Sequence, residues 1–312
     1  MVSSAIENFN ANVTAGRINT GGEWLAYFRA FHEQLPNAND LFTVLRTRSN
    51  DTSYSLLAKA VASNASNVLD LGCGDGNLID ELLAHLPKAS IYGVDVASPQ
   101  ITIAKRRYSA ESRVHLETAD ALHLPFEDGF FDCVVAHQFL NFLPAIHPYL
   151  REVARVLKPD GRLLAVSNRG WQSDRAAMWV QINEAALEAV HAVYPQAVWP
   201  KMGDPRMYRE EGIVEIFEES ELFDPDTISV GFFTSSALLT PERVEAIYNR
   251  LYFYALLPEK KAILEAVRAR AEQRATKGDL LELALPFRLI SARTKSFPGL
   301  RLVGRAAERS GE

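Results

Sequence analysis

Residues 68–77 read Val-Leu-Asp-Leu-Gly-Cys-Gly-Asp-Gly-Asn, an apolar run that passes into three alternating glycines and then into helical spacing. A short apolar run bounded by glycines predicts a buried strand of a parallel sheet. Glycine is required where the backbone turns sharply or where a ligand touches the main chain, because glycine has no Cβ. The spacing of Gly72, Gly74 and Gly76 before Asn77 departs from the Gly-x-Gly-x-x-Gly pattern of dinucleotide-binding proteins. The stretch therefore predicts a strand, a ligand-binding glycine loop and a helix.

Further strands and helices alternate on the C-terminal side of this stretch. Apolar runs predict strands at residues 68–71, 91–96, 114–117, 131–136 and 162–167. Helical spacing separates them, with Pro99 in the first turn of one helix and a turn at residues 158–161 before the last of these strands. Such alternation is typical of parallel βαβ units, and hence of a doubly wound α/β sheet with helices on both faces.

The segments on either side of this alternation are less regular. They divide the chain into an N-terminal helical cap, a core, a region of helical lid insertions and closing strands, and a tail, at residues 1–50, 51–168, 169–300 and 301–312. Gly21-Gly22 predicts a turn within the cap. The third part is predicted to hold a long helix at 241–275 and the closing strands at 227–233 and 281–294.

Carboxylates follow two of the predicted strands. Asp95 ends the second strand, about 20 residues after the glycine loop, where an acidic side chain can accept both hydroxyls of a ribose. Asp120 follows the third strand. A carboxylate there can accept the exocyclic amine of an adenine while the backbone N–H of Ala121 donates to a ring nitrogen. Because the carboxyl ends of parallel strands meet at one edge of the sheet, these residues predict a nucleoside site at that edge.

The sequence resembles a known family in its motifs and their spacing. The motifs are residues 70–76, 93–95, 119–121, 130–135 and 150–163. Together they resemble the class I S-adenosylmethionine-dependent methyltransferases over residues 50–168. The resemblance implies a mostly parallel seven-stranded sheet whose last two strands form an antiparallel hairpin, S-adenosylmethionine as cofactor and S-adenosylhomocysteine as product. The cofactor contacts that it implies are Asp70, Gly72, Cys73, Gly74, Gly76, Asp95, Val96, Asp120, Ala121 and His137.

His137, directly after the fourth strand, is the best-placed candidate for catalysis. Histidine titrates near neutral pH, which suits a general base. A wall residue or a cofactor contact is the alternative interpretation. Methyl transfer needs a base only when the nucleophile starts protonated and is poorly acidic, and much of the rate can come from alignment in a closed pocket.

Candidate contacts to the substrate come from the loop after the fourth strand and from aromatic residues outside the core. They are Tyr27, Gln138, Asn141, Trp171 and Trp179. The aromatic residues either hold a flat or cationic ligand or simply pack the helices that carry them. The N-terminal helices and residues 169–222 and 241–275 are expected to determine the choice of substrate and to fold over the mouth of the site as a lid.

Composition restricts the classes of partner. The net charge is −6, the pI is about 5.7 and the basic residues are scattered, which disfavours nucleic acid as a substrate. Two cysteines in apolar surroundings fit a reducing compartment. The sequence has no signal-peptide pattern, no run of about 18 apolar residues and no cluster of His, Cys and carboxylates at metal-ligand spacing. We therefore expect a cytoplasmic protein without metal or membrane contact, and the sequence is compatible with a homodimer.

These observations predict methyl transfer to a small-molecule acceptor, at an oxygen or nitrogen atom or else at carbon or sulfur, with secondary metabolism as the expected setting. A non-catalytic S-adenosylmethionine-binding module and an aminopropyltransferase-like enzyme are the alternatives. The complete set of loop glycines and Asp95 argue against a degenerate module. The absence of acidic residues from 137–141 argues against an enzyme for polyamines.

Overall fold

The structure is a computed structural model of the 312-residue chain, and it describes residues 3–35, 40–169, 177–198, 202–251, 254, 256–257, 259–275 and 279–295. The helices are α1 (Ser4–Thr14), α2 (Gly21–Gln34), α3 (Asp40–Val44), α4 (Ser53–Ala60), α5 (Asn77–His85), α6 (Ser98–Arg107), α7 (His147–Val156), α8 (Met178–Val193), α9 (Glu210–Glu219), α10 (Pro241–Tyr248) and α11 (Lys260–Arg274). The strands are β1 (Asn67–Leu71), β2 (Ser90–Asp95), β3 (Val114–Thr118), β4 (Phe131–His137), β5 (Leu157–Asn168), β6 (Ser229–Leu239) and β7 (Leu281–Arg293). Among the described helices, none combines the length and apolarity needed to span a membrane.

The strands form a seven-stranded mixed sheet in the order β3-β2-β1-β4-β5-β7-β6. β1 to β5 run parallel, and β7 lies antiparallel between β5 and β6. This confirms the predicted doubly wound α/β sheet with a closing antiparallel hairpin, although β6 is longer than the predicted 227–233. β1 has β2 on one side and β4 on the other, so the strand order reverses at β1. In open α/β sheets, ligands bind at such a switch point, outside the carboxyl ends of the strands.

Side chains of alternate residues in the central strands pack into two apolar layers, one on each face of the sheet. Val68 packs into the layer built with α4, α5 and α8, whereas Leu69 packs into the layer built with α7 and α9. Both side chains are fully buried, as expected of a parallel strand covered on both faces. The same period of two places Asp70 on the face of Val68, at the end of the strand where the glycine loop begins.

β5 begins earlier than predicted. Residues 158–161, predicted as a turn, belong to its first part, where the pairing with β4 shifts register between Phe131 and Cys133. Asp160 has a φ of 61° at this point. A bulge of this kind inserts extra residues while the strands continue to pair on both sides. The turn predicted at residues 158–161 is therefore a bulge inside β5 rather than a loop before it.

The region after β5 differs from its prediction in two respects. The helix predicted at 241–275 is two helices, α10 and α11, because Tyr254 and Leu257 between them are buried and draw the chain inward. α8, α10 and α11 pack on one another, and α8 also packs on β7. The described parts of residues 169–222 and 241–275 consequently do not line the cavity at the carboxyl edge. The apolar surfaces of these parts pack against each other and against the sheet.

The N-terminal cap instead reaches the carboxyl edge of the sheet. α2 begins at residues 21–22, where a turn was predicted, because Thr20 and Glu23 form a capping box. The Thr20 hydroxyl accepts from the Glu23 N–H at 3.2 Å, and the Glu23 carboxylate accepts from the Thr20 N–H at 2.7 Å. The Trp24 indole N–H donates to the carbonyl oxygen of Phe142 at 2.9 Å. This buried hydrogen bond ties α2 to the loop after β4.

Candidate active site

A cavity lies at the carboxyl ends of β1, β2 and β4, where the strand order reverses. Its walls are the glycine loop, the ends of β2 and β4, the segment after β3 and one face of α2. The sequence-predicted residues that line it are Asp70, Gly72, Cys73, Gly74, Asp95, Val96, Asp120, Ala121, His137 and Gln138. The structure therefore brings most of the predicted cofactor residues to one surface.

The glycine loop is folded back onto the end of β2. The N–H groups of Gly72 and Cys73 donate to the carbonyl oxygen of Val94 at 2.9 and 3.0 Å. The Gly74 N–H donates to Asp95 Oδ2 at 3.0 Å. Gly72 and Gly74 have φ values of 75° and 55°, in the left-handed region that residues with a Cβ rarely adopt. A Cβ on Gly72 would lie 2.7 Å from the Phe139 ring. Gly72 thus meets both a conformational and a spatial requirement, and Gly74 meets a conformational one.

Gly76 has a different position from the other loop glycines. It does not line the cavity but forms the N-cap of α5, with a φ of 94°. The Tyr108 hydroxyl lies 2.6 Å from the Gly76 carbonyl oxygen and 2.7 Å from Asp80 Oδ1, so its proton is shared between these two acceptors. Tyr108 therefore supports the end of the loop from α6. Sequence reasoning missed it, because no spacing rule connects positions 76 and 108.

Two carboxylates, the buried Asp70 and the half-buried Asp95, border the cavity, and neither has a basic partner among the described residues. Asp70 is 1% exposed, and its Oδ2 atom has no hydrogen-bond partner among the described residues. Burial, and then the charge of Asp95, raises the pKa of Asp70 to about 8. Burial also raises the pKa of Asp95, although backbone N–H donors, that of Ala97 first, oppose the shift. This end of the cavity is therefore suited to a positively charged ligand.

His137 lies between aromatic side chains at the end of β4. Its ring centroid is 4.0 Å from that of Tyr54 and 5.2 Å from that of Phe42, which meets it edge-on. Its Nε2 atom lies 2.8 Å from the hydroxyl oxygen of Ser53. Burial lowers the pKa of His137 to about 3. An imidazole with this pKa is neutral at physiological pH and a weak base, so the structure favours a hydrogen-bonding role over the predicted role of general base.

One face of α2 covers the cavity, and sequence reasoning chose the wrong residue on this helix. The lining residues are Leu25, Phe28, Arg29 and His32, which recur at helical spacing. Tyr27 lies on another face, 1% exposed and stacked on Phe9 at a centroid distance of 3.9 Å. The spacing of apolar residues in the sequence predicts a helix here, but it does not determine which face of the helix lines the cavity.

Two polar contacts join α2 to the rest of the cavity wall. Gln100 of α6 donates through Nε2 to Nδ1 of His32 at 3.1 Å. Burial lowers the pKa of His32 to about 4, so this ring is neutral. Arg29 lies 3.8 Å from Asp120 at the mouth, where both side chains are about half exposed. α2 is therefore attached on both sides of the opening.

Two further predicted substrate contacts, Asn141 and Trp179, do not line this cavity. Asn141 is 1% exposed and lies in a short 3-10 turn, Leu140–Phe142, behind the wall. Trp179 packs on Tyr248, with ring centroids 5.5 Å apart, where α8 meets α10. Trp171 lies outside the described residues. Within the described ranges, no three His, Cys, Asp or Glu side chains are grouped as a metal site would require.

Comparison with known proteins identifies the family. The profile described as "Methyltransferase domain" matches residues 69–165. The demethylmenaquinone methyltransferase of Thermus thermophilus is 33% identical over 190 residues, which cover 58% of this chain and 80% of that protein. Methyltransferase GfsG of Streptomyces halstedii is 38% identical over 104 residues, 32% of this chain and 37% of that protein. The chain belongs to the class I S-adenosylmethionine-dependent methyltransferases.

Solved structures agree on the fold. The YcgJ protein of Bacillus subtilis superposes with a TM-score of 0.51 at 18% identity, covering 78% of this chain and 99% of that chain. The [4+2]-cyclase SpnF gives the same TM-score at 19% identity, covering 85% and 94%. Among the curated relatives, coverage is less complete, since the chain spans 46% of the demethylmenaquinone methyltransferase of Lactiplantibacillus plantarum.

We expect Gly72→Ala to lower the free energy of unfolding by about 1–3 kcal/mol, because the added Cβ is strained at positive φ and meets Phe139. Urea denaturation measures this change. The control is Gly22→Ala in the first turn of α2, where no atom lies within 4 Å of the added Cβ. That substitution should stabilise the protein by up to about 1 kcal/mol. Equal stability of wild type and Gly72→Ala would contradict the requirement for glycine.

As the pH rises from about 4 to about 8, we expect the free energy of unfolding of the wild type to decrease relative to that of Asp70→Asn. The unfolded carboxyl has a pKa of about 3.9, and the folded pKa of Asp70 is about 8. The folded state therefore holds a proton that the unfolded state has lost, and rising pH favours unfolding by up to about 1.4 kcal/mol per pH unit. Urea titrations of both proteins from pH 5 to 9 measure the difference. A difference that does not change with pH would show that Asp70 is ionised in the folded protein.

Proposed function

We propose that this chain transfers the methyl group of S-adenosylmethionine to an oxygen, nitrogen or carbon atom of a neutral, flat and mainly apolar small molecule. The observation that carries the proposal is the division of the cavity into two ends. Asp70 and Asp95 border the end at β1 and β2, whereas uncharged rings surround His137 at the end of β4. Neighbouring strands are about 4.8 Å apart, so the ends of β2 and β4 are separated by roughly 10 Å.

The residues at the acidic end fit the cofactor. The Asp95 carboxylate, fixed by the N–H groups of Gly74 and Ala97, is suited to bind ribose hydroxyls. Asp120 and Ala121 are suited to bind the adenine, and the glycine loop leaves room for the methionine part. The unpartnered Oδ2 of Asp70 is the feature that best matches a cation. When bound, S-adenosylmethionine supplies an electrophilic methyl group on a positively charged sulfur.

The residues at the other end fit an uncharged acceptor. Phe28 and Phe142, with ring centroids 5.1 Å apart, extend the aromatic wall formed by Phe42 and Tyr54. These side chains exclude water and hold a flat molecule by its faces. No carboxylate of the described residues stands among them to compensate a charged amine. Their contribution to the rate is alignment of the acceptor in a dry pocket, with polar contacts from His137 and Gln138.

The curated relatives suggest the first acceptors to test. The Thermus relative is named for demethylmenaquinone, and a reduced quinone is flat, apolar and uncharged. The net charge of −6 and the acidic cavity border make nucleic acid a poor acceptor for this site.

We expect isothermal titration to show micromolar binding of S-adenosylmethionine and S-adenosylhomocysteine and no binding of NADH. Asp95→Ala should raise the Kd of both compounds at least tenfold, because it removes two hydrogen bonds to the ribose. A tenfold change in Kd corresponds to about 1.4 kcal/mol of binding free energy. The control is Asp226→Ala, which removes an exposed carboxylate outside the cavity and should bind like wild type. Failure of both adenosyl compounds to bind would contradict the cofactor assignment.

We expect mass spectrometry to detect methylation of reduced naphthoquinones or phenols by the purified chain, and no methylation of polyamines or DNA. His137→Gln should lower kcat/KM for the accepted compound by about 10–100-fold, since it removes a hydrogen bond to the acceptor. The matched control is His191→Gln, a histidine at an exposed position of α8. Methylation of a polyamine in preference to every uncharged compound would contradict the proposed acceptor class.

A further inference from the structure

Ser53 is the buried polar contact of the candidate catalytic histidine. It is the first residue of α4 and is 1% exposed. Its hydroxyl oxygen lies 2.8 Å from Nε2 of His137, a residue 84 positions later in the chain. Ser53 lies outside residues 69–165, which match the methyltransferase profile. The profile match therefore assigns no role to Ser53.

The surroundings of the Ser53 hydroxyl decide the direction of this hydrogen bond. Among the described residues, the His137 ring is its only hydrogen-bond partner. If Nε2–H donated to the hydroxyl, the O–H proton of a fully buried serine would have no acceptor, and a buried donor without a partner is costly. If the hydroxyl donates to Nε2, both groups are satisfied. The second arrangement requires the proton of the neutral ring to be on Nδ1.

The ring cannot turn away from this arrangement without losing its packing. It lies against Tyr54, the neighbour of Ser53 on α4, and against the edge of Phe42. His137 is also the last residue of β4, paired with Val166 of β5. In the described part of the chain no group hydrogen-bonds Nδ1, and His137 lines the cavity. The protonated Nδ1 is therefore left for a ligand.

We propose that Ser53 is a positioning residue that holds His137 as the Nδ1–H tautomer, so that the ring donates a hydrogen bond to an oxygen lone pair of the methyl acceptor. The acceptor, which binds in its neutral form, then carries a carbonyl, phenol or enol oxygen next to, or at, the atom that is methylated. A donor at this place lowers the pKa of a bound phenol or enol, because a hydrogen bond to the anion stabilises it. The inference rests on the proposed function only for the identity of this ligand, since the tautomer is a property of the protein alone.

The tautomer can be measured without an acceptor. The chain contains 7 histidines, and labelling with [15N]histidine allows their ring nitrogens to be distinguished by NMR at pH 7. The His137 signals are identified by their loss in His137→Gln. In the wild type we expect a protonated Nδ1 and an unprotonated, hydrogen-bonded Nε2.

Variants of the serine give the decisive comparison. Ser53→Thr keeps the hydroxyl and should keep the Nδ1–H tautomer, whereas Ser53→Ala should shift the ring towards Nε2–H. Ser55→Ala is the control, because Ser55 lies on the same helix but bonds Asp51 and Thr52 rather than His137. Thermal unfolding of each variant confirms that it is folded. An Nε2–H ring in the wild type, or an unchanged tautomer in Ser53→Ala, would overturn the proposal.

Kinetics then test the ligand. With an acceptor found by the methylation assay, Ser53→Ala should lower kcat/KM about 10–100-fold, and Ser53→Thr should restore it to within a few fold. The loss should occur for acceptors with a carbonyl or phenolic oxygen at the site. Equal kcat/KM for wild type and Ser53→Ala, with the tautomer changed, would overturn the assignment of the ligand. An absence of any methylation together with the expected tautomer would count against the proposed function and not against the role of Ser53.

Discussion

Two backbone N–H groups of the glycine loop, those of Gly72 and Cys73, donate to the carbonyl oxygen of Val94 at the end of β2. These bonds can form because β1 and β2 are parallel neighbours, so both chains leave the sheet at the same edge. The loop can fold back only because its glycines adopt positive φ values. The start of α5, the direction of Asp70 and the floor of the cavity all depend on this loop geometry.

The loop also places two carboxyl groups close together without a neighbouring cation, which destabilises the protein when no ligand is bound. It holds Asp70 buried and Asp95 half-buried at the edge of the cavity, and removal from water raises the pKa of both carboxyl groups. Natural proteins rarely bury carboxylates without a cation or enough donors, because removing such a charge from water is unfavourable. Binding of a cation would repay part of that cost. The surroundings of His137 are different, since aromatic neighbours surround a neutral ring. The cavity thus has one end suited to a cation, at Asp70 and Asp95, and another suited to an uncharged molecule, at His137.

The N-terminal segment supplies part of the cavity wall from outside the span that matches the methyltransferase profile. α2 is tied to the loop after β4 by the Trp24–Phe142 hydrogen bond and carries one wall of the cavity. α4 contributes the hydroxyl of Ser53 and the ring of Tyr54, both beside His137. Trp24, Ser53 and Tyr54 lie outside residues 69–165, the span that matches the methyltransferase profile, whereas Phe142 and His137 lie inside it. The common core therefore supplies the cofactor end of the cavity, and the N-terminal segment supplies much of the other end.

The sequence by itself determined the order of the strands and helices, the glycine loop and the acidic residues at the end of β2 and after β3. These features depend on local rules: apolar runs form buried strands, glycines permit left-handed turns, and parallel strands end at the same edge. Only the tertiary structure decided which face of α2 meets the cavity, with Phe28 in the wall and Tyr27 behind it. It also placed Ser53 against His137 and Trp179 against Tyr248. Such contacts join residues that are distant in the chain, and they depend on how whole elements pack, which hydrophobic periodicity within one element does not specify.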